Sequence, residues 1–129
     1  NFSNLFRLKD FDFFNLQYGN VKKEIENFNT KYSLKLEVLN EVDLFNDFLS
    51  VASLLKNLDL FITVSNSTAH LAGALNVNTI LIKPFNHATF FYWDQKTNKT
   101  PWYPSIDLVD GDIISDEKKF IELIYSKLE

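Results

Sequence analysis

Apolar residues along this chain come in short runs separated by segments of helical period, the alternation of a mostly parallel sheet covered by helices. The runs predict strands near Phe11–Leu16, Leu34–Leu39, Leu60–Val64, Thr79–Lys83 and Ile106–Val109. Val21–Tyr32 reads as a charged amphipathic helix with Ile25 and Phe28 on one side, and Phe45–Leu58 as a more apolar one. A last helix, Asp116–Leu128, takes Ser115 or Asp116 as its cap and offers Phe120, Ile121, Ile124 and Leu128 to a core. The expected class is α/β, an open, mostly parallel sheet of about five strands with helices on both faces, in a single domain over residues 1–129.

The segment Leu60–Leu75, LFITVSNSTAHLAGAL, carries the most chemistry. Phe61, Ile62 and Val64 suit a buried strand, whereas Ser65, Asn66, Ser67 and Thr68 are all helix-capping types. Ala69, Ala72, Gly73 and Ala74 make the following helix thin enough to lie close on a sheet, with His70 in or near its first turn. Free N–H groups and the positive end of the helix dipole at such a junction attract a phosphate. In an open parallel sheet, ligands bind beyond the carboxyl ends of the strands. Polar residues gather there: Gln17, Tyr18 and Gly19 after the first strand, Ser65–Thr68 after the third, Lys83 and Pro84 at the close of the fourth.

Composition narrows the classes. At 129 residues and 46% hydrophobic content, the chain can bury a real core, and no apolar run approaches the ~20 residues needed to span a bilayer. A net charge of −4 without a basic stripe argues against nucleic acid as a partner. Zero Cys excludes disulfides and thiolate metal sites, and His70 and His87, the 2 histidines, have no metal-ligand spacing, so neither metal nor cofactor is expected. With 3 Gly the chain holds neither a GxGxxG turn nor a Walker loop, which disfavours dehydrogenases and P-loop kinases. It also has no Gly-x-Ser-x-Gly elbow and no standout acid/base pair of carboxylates. Beginning at Asn1 with neither Met nor a signal peptide, it reads as a piece of something longer.

NSTAHLAGAL, with LQYG upstream (Leu16 to Gly19) and WYPS downstream (Trp102 to Ser105), resembles the C-terminal domain of bacterial glycosyltransferases related to the heptosyltransferases, often fused behind tetratricopeptide repeats. The likeness runs from about Phe13 to the C-terminus. It implies the Rossmann-like, nucleotide-sugar-binding half of a two-domain GT-B enzyme, working in the cytoplasm without metal. It further implies a nucleoside-diphosphate sugar as substrate, with the acceptor base in a missing acceptor domain. Tetratricopeptide repeats or a second copy of the chain are further expected partners.

Each candidate residue has a plain reading beside the functional one. Ser65, Asn66, Ser67 and Thr68 either donate to a diphosphate or over-provide a helix cap. Relatives often carry Asp-Thr where Ser65 and Asn66 stand here. A lone histidine on a helix is more often a half-buried packing residue, but the resemblance puts His70 by the nucleotide-sugar phosphates, as a binding or leaving-group-stabilising residue. His87 has no such support. Lys83 either pairs with a phosphate or reaches water from a strand end. Gln17 and Tyr18 match LQYG and are expected beside the phosphates or on the cleft wall, with Gly19 in a positive-φ turn. The long non-periodic segment Pro84–Ser105 carries Phe90, Phe91, Tyr92, Trp93, Trp102 and Tyr103, mostly for packing and partly for a cleft wall. Two rival readings are a degenerate interaction module, which kept the fold and lost the donor site, and a flavodoxin-like receiver or cofactor binder; a receiver needs an acidic cluster at the strand ends, which Gln17 and Ser65 fail to supply.

Overall fold

The computed structural model describes residues 4–84, 90–93 and 97–129. Among the described residues, five strands, each paired in parallel within its own sheet, and four α-helices make an α/β architecture, with β1 (Phe13–Asn15), α1 (Lys22–Tyr32), β2 (Leu36–Val38), α2 (Phe48–Lys56), β3 (Phe61–Val64), α3 (Ser67–Ala74), β4 (Thr79–Ile82), β5 (Ile106–Val109) and α4 (Glu117–Leu128) in order. The strands divide into a two-stranded sheet, β1-β2, and a three-stranded sheet, β3-β4-β5. Two compact units follow this division, Asn1–Val51 and Ala52–Glu129. No helix among the described residues is long and apolar enough to cross a membrane.

In the first unit a β1-α1-β2 crossover sets Phe13 beside Leu36 and Asn15 beside Val38 in parallel register. The Asn15 side chain closes β1: its Oδ1 accepts the Gln17 N–H at 3.3 Å and its Nδ2 donates to the Gln17 carbonyl at 3.2 Å. Gly19 then adopts φ +103°, the left-handed turn expected of it. Helix α1 buries Ile25, and Phe28 meets Phe6 edge to face at 5.5 Å, with Phe6 in turn against Phe13 at 5.0 Å. Past the helix, Ser33 takes left-handed backbone. The Asn29 amide then bonds both the N–H and the carbonyl of Leu36 at 3.0 Å, fastening α1 to β2.

The second unit is built on β4. All four of its residues are buried, as a central parallel strand covered on both faces requires. Thr79, the polar member, satisfies its hydroxyl on the Val77 carbonyl at 2.9 Å. Leu81, Ile106 and Leu108 from the sheet join Ala69 of α3 and Trp93 in one core cluster. Asp116 caps α4 by accepting the Lys119 N–H at 3.2 Å, and Phe120 and Ile124 are its buried residues, while Ile121 and Leu128 are only half-buried. The first four expected strands are longer at their ends than the observed ones, because the flanking turns take over the terminal residues, while the fifth matches. Val64, expected inside, is 55% exposed: it closes β3, an edge strand of its sheet.

Asp107 of β5 ties three segments together. Its two carboxylate oxygens pair with Lys99, from the chain entering the sheet, and Lys127 of α4, whose carbonyl accepts the Asn78 amide at 2.8 Å. Burial acts to raise the Asp107 carboxyl, and hydrogen bonds and charge from Lys127 and Lys99 outweigh it, so the group titrates below the usual aspartate range. A depressed folded pKa adds stability that is complete above the unfolded value of about 3.9 and is lost as pH falls through the lower folded value. Asp107→Asn is therefore expected to cost about 1 kcal/mol at neutral pH, with the exposed Lys99 arm screened by solvent. Urea denaturation at stepped pH should show that gap closing only in the acid limb; a gap independent of pH would refute the linkage.

Candidate functional site

The β3-α3 junction bends after Val64 at Ser65 and Asn66; Asn66 itself is extended (φ −157°, ψ 177°), and the helix begins at Ser67. Of the four capping types, Asn66 is the cap: its Oδ1 accepts the Ala69 N–H at 2.9 Å and its Nδ2 donates to Thr63 Oγ1 at 3.1 Å. That leaves the N–H groups of Ser67 and Thr68 in the first turn, which the helix itself cannot satisfy. Ser67 is exposed and Thr68 half-buried. The Ser65 hydroxyl accepts the indole N–H of Trp93 at 2.9 Å, so it anchors the aromatic segment to the end of β3.

His70 lies one turn into α3 among aromatic rings. It stacks on Trp93 (centroids 4.8 Å apart, 28° between planes) and meets the edges of Tyr92 at 5.0 Å and Tyr103 at 5.7 Å. Its Nδ1 is 3.0 Å from the Tyr103 hydroxyl, while Nε2 has no hydrogen-bond partner among the described residues. The ring is thus oriented by packing and by one hydrogen bond. A histidine at the rim of a cleft is expected to touch little of the core; this one touches Trp93, a core residue, so packing and site geometry share the side chain.

Lys83 follows β4, and its backbone N–H donates to the Val109 carbonyl at 2.8 Å. Its side chain is buried and its ammonium pairs with Asp110 at 2.8 Å, a partner that was not visible in the sequence. Neither plain alternative, water or phosphate, describes that contact. In the WYPS segment Tyr103 packs against Gly73 of α3, where a β-carbon would fall 2.4 Å from the Tyr103 ring root. Trp102 is 51% exposed, and Phe90 and Phe91 are exposed with it, so the aromatic segment splits into a buried half around Trp93 and an outward half. His87 lies outside the described residues.

Gln17 and Tyr18 belong to the first unit. Both are exposed on the loop after β1, and the Tyr18 ring meets Phe45 at 5.7 Å with 56° between planes. The second unit brings Ser65 and His70 together through Trp93, with Tyr103 on the far side of His70, links that residue type and spacing could not reveal because they depend on how the aromatic segment folds back.

No family model and no solved structure matches the chain. It is similar to Protein FlbA of Caulobacter vibrioides, with 33% identity over 94 residues. That alignment takes in 73% of this chain and 15% of FlbA, so the chain spans a small part of this relative's length.

Proposed function

We propose that the second unit binds the diphosphate of a nucleoside-diphosphate sugar at the Asn66–Thr68 turn, and that the chain is the donor-binding half of a metal-independent glycosyltransferase. The observation that carries the reading is the economy of the cap: Asn66 occupies only the Ala69 N–H and, among the described residues, leaves the first two helical N–H groups free for an anion at the carboxyl end of a parallel strand. His70 adds an imidazole whose Nε2 is free of protein partners among the described residues. Fixed dipoles of this kind stabilise the charge that grows on a departing nucleoside diphosphate, because they need no reorganisation as it forms. The sequence resemblance to heptosyltransferase-like enzymes supplies the sugar-transfer chemistry. On this reading the acceptor and its base are brought by another domain.

The committed side chains favour a second reading, in which the domain is a non-catalytic interaction module accompanying helical repeats. Lys83 is neutralised by Asp110, Ser65 is held by Trp93 and His70 by Tyr103, each of which a phosphate would have to share or displace.

Ser67→Pro separates the two. Ser67 is the first helical residue, where proline's fixed φ is tolerated, and the extended Asn66 suits a residue preceding proline. The substitution therefore deletes one donor and spares the helix. A nucleoside diphosphate at about ten times its Kd should stabilise the native chain by about 1.4 kcal/mol in thermal-shift titrations, and Ser67→Pro should lose most of that. A panel of nucleoside diphosphates and nucleotide sugars that stabilises neither protein, or both equally, would leave the interaction module as the better account.

A further inference from the structure

A pocket of about 260 Å³ opens beyond the carboxyl ends of β1 and β2, and every residue lining it belongs to the first unit. Its polar and aromatic wall includes Gln17, Tyr18, Lys22, Asn40, Asp43 and Phe45, beside Asn15, whose side chain is held by Gln17. The position is where a parallel βαβ unit presents ligands, between the loop leaving β1 and the loop leaving β2.

The chemistry of the wall selects among ligands. Lys22 and Asp43 contribute one charge of each sign, so the pocket has no net charge to offer a phosphate. Asp43 is held as the anion: the Asn46 side-chain amide and the N–H groups of Asn46 and Phe45 bond it at 2.8 to 3.0 Å, and these bonds keep its carboxyl below the usual range. An inorganic or nucleotide phosphate would sit against that carboxylate. Tyr18 and Phe45 meet at 56°, forming a corner and not a parallel slot, and both are exposed, at 44% and 69%. Each exposed ring offers a face to the C–H side of a puckered ring, and the tilt between them leaves no parallel slot that would hold a flat base on both sides. The side-chain amides of Gln17 and Asn40 can each donate and accept, as hydroxyl groups around a ring do. A volume of about 260 Å³ is at the small end of ligand pockets and suits one ring.

From this juxtaposition we infer that the β1-β2 pocket is a binding site for a single neutral sugar ring, which stacks on Tyr18 and Phe45 and hydrogen-bonds Gln17 and Asn40. The inference is independent of phosphate binding at α3. The sugar has two sources, a free monosaccharide or the glycosyl group of a nucleotide sugar, and the test distinguishes them. The ¹⁵N-labelled full chain is titrated separately with glucose, galactose, mannose, N-acetylglucosamine, uridine diphosphate N-acetylglucosamine and uridine diphosphate. Sugars are expected to shift amides of residues 17–19 and 39–45, with uridine diphosphate silent there; a response to the conjugate alone assigns the site to nucleotide sugars. Tyr18→Ala should weaken the response about tenfold, and Gln17→Ala, at an exposed position that cannot unfold the chain, should weaken it as well. Silence toward every sugar, a shift of these amides by uridine diphosphate alone, or full retention of binding by both variants would overturn the assignment. The amides of residues 66–70 report separately on the phosphate reading, so one can fail without the other.

Discussion

Trp93→Ala is expected to destabilise the second unit by about 3–5 kcal/mol, a large part of the stability of a typical domain. The indole is fully buried and packs in the cluster of Ala69, Leu81, Ile106 and Leu108, so truncation opens a cavity under the sheet. The same change strips the Ser65 hydroxyl of its indole donor and the His70 ring of its stacked neighbour. Three consequences therefore follow from one substitution: lost burial, a lost hydrogen bond and a loosened β3-α3 junction. Trp93→Phe keeps an aromatic face for His70 while deleting the donor, and should cost roughly half as much. Urea unfolding followed by circular dichroism measures both. A loss below about 1 kcal/mol for Trp93→Ala would show that the aromatic segment leaves the core at little cost, and the site geometry built on it would fall too.

The order of strands and helices was legible in the sequence because hydrophobic period depends on local burial. Val21–Tyr32 and Asp116–Leu128 each appear within a residue of their expected bounds, and Ile106–Val109 matches its expected bounds. The division into two small sheets was not legible, since the pairing of strands is decided by contacts between distant residues that periodicity does not encode. At the candidate site, the capping role of Asn66 could be anticipated only as one of four equivalent choices. Extended backbone at that residue and helical backbone at the next decided it. The ion pairs of Lys83 with Asp110 and of Asp107 with Lys127 join segments far apart in the chain, and no spacing rule announces them or the nearer pair of Asp107 with Lys99. The aromatic residues stand out in the sequence as a group, yet which of them are buried depends on the Ser65 hydroxyl and the shallow surface over Gly73, neither of which distinguishes itself by residue type.

Gly73→Ala tests that shallow surface against the usual helix rule. In an ordinary helix interior the change is favourable by about 1 kcal/mol, because alanine loses less backbone freedom on folding. Here the added methyl would lie 2.4 Å from Tyr103 Cγ, 2.6 Å from Cδ1 and 2.9 Å from Cβ. These atoms are the root of the side chain, so rotation of the ring about its outer bonds cannot relieve the overlap and the WYPS backbone must retreat. Overpacking of this kind costs about 1–3 kcal/mol, and the immovable root puts it at the upper end, for a net loss of about 2 kcal/mol. The retreat also draws the Tyr103 hydroxyl away from His70, so the imidazole resonances should change although position 73 is not among the ring's partners. In a Tyr103→Ala background the cost of Gly73→Ala should fall sharply, since Cγ and Cδ1 are gone, and the two substitutions will be strongly non-additive. Equal costs in both backgrounds, or a stabilised Gly73→Ala, would mean that Tyr103 is free to leave α3 and that the hydrogen bond orienting His70 is incidental to the fold.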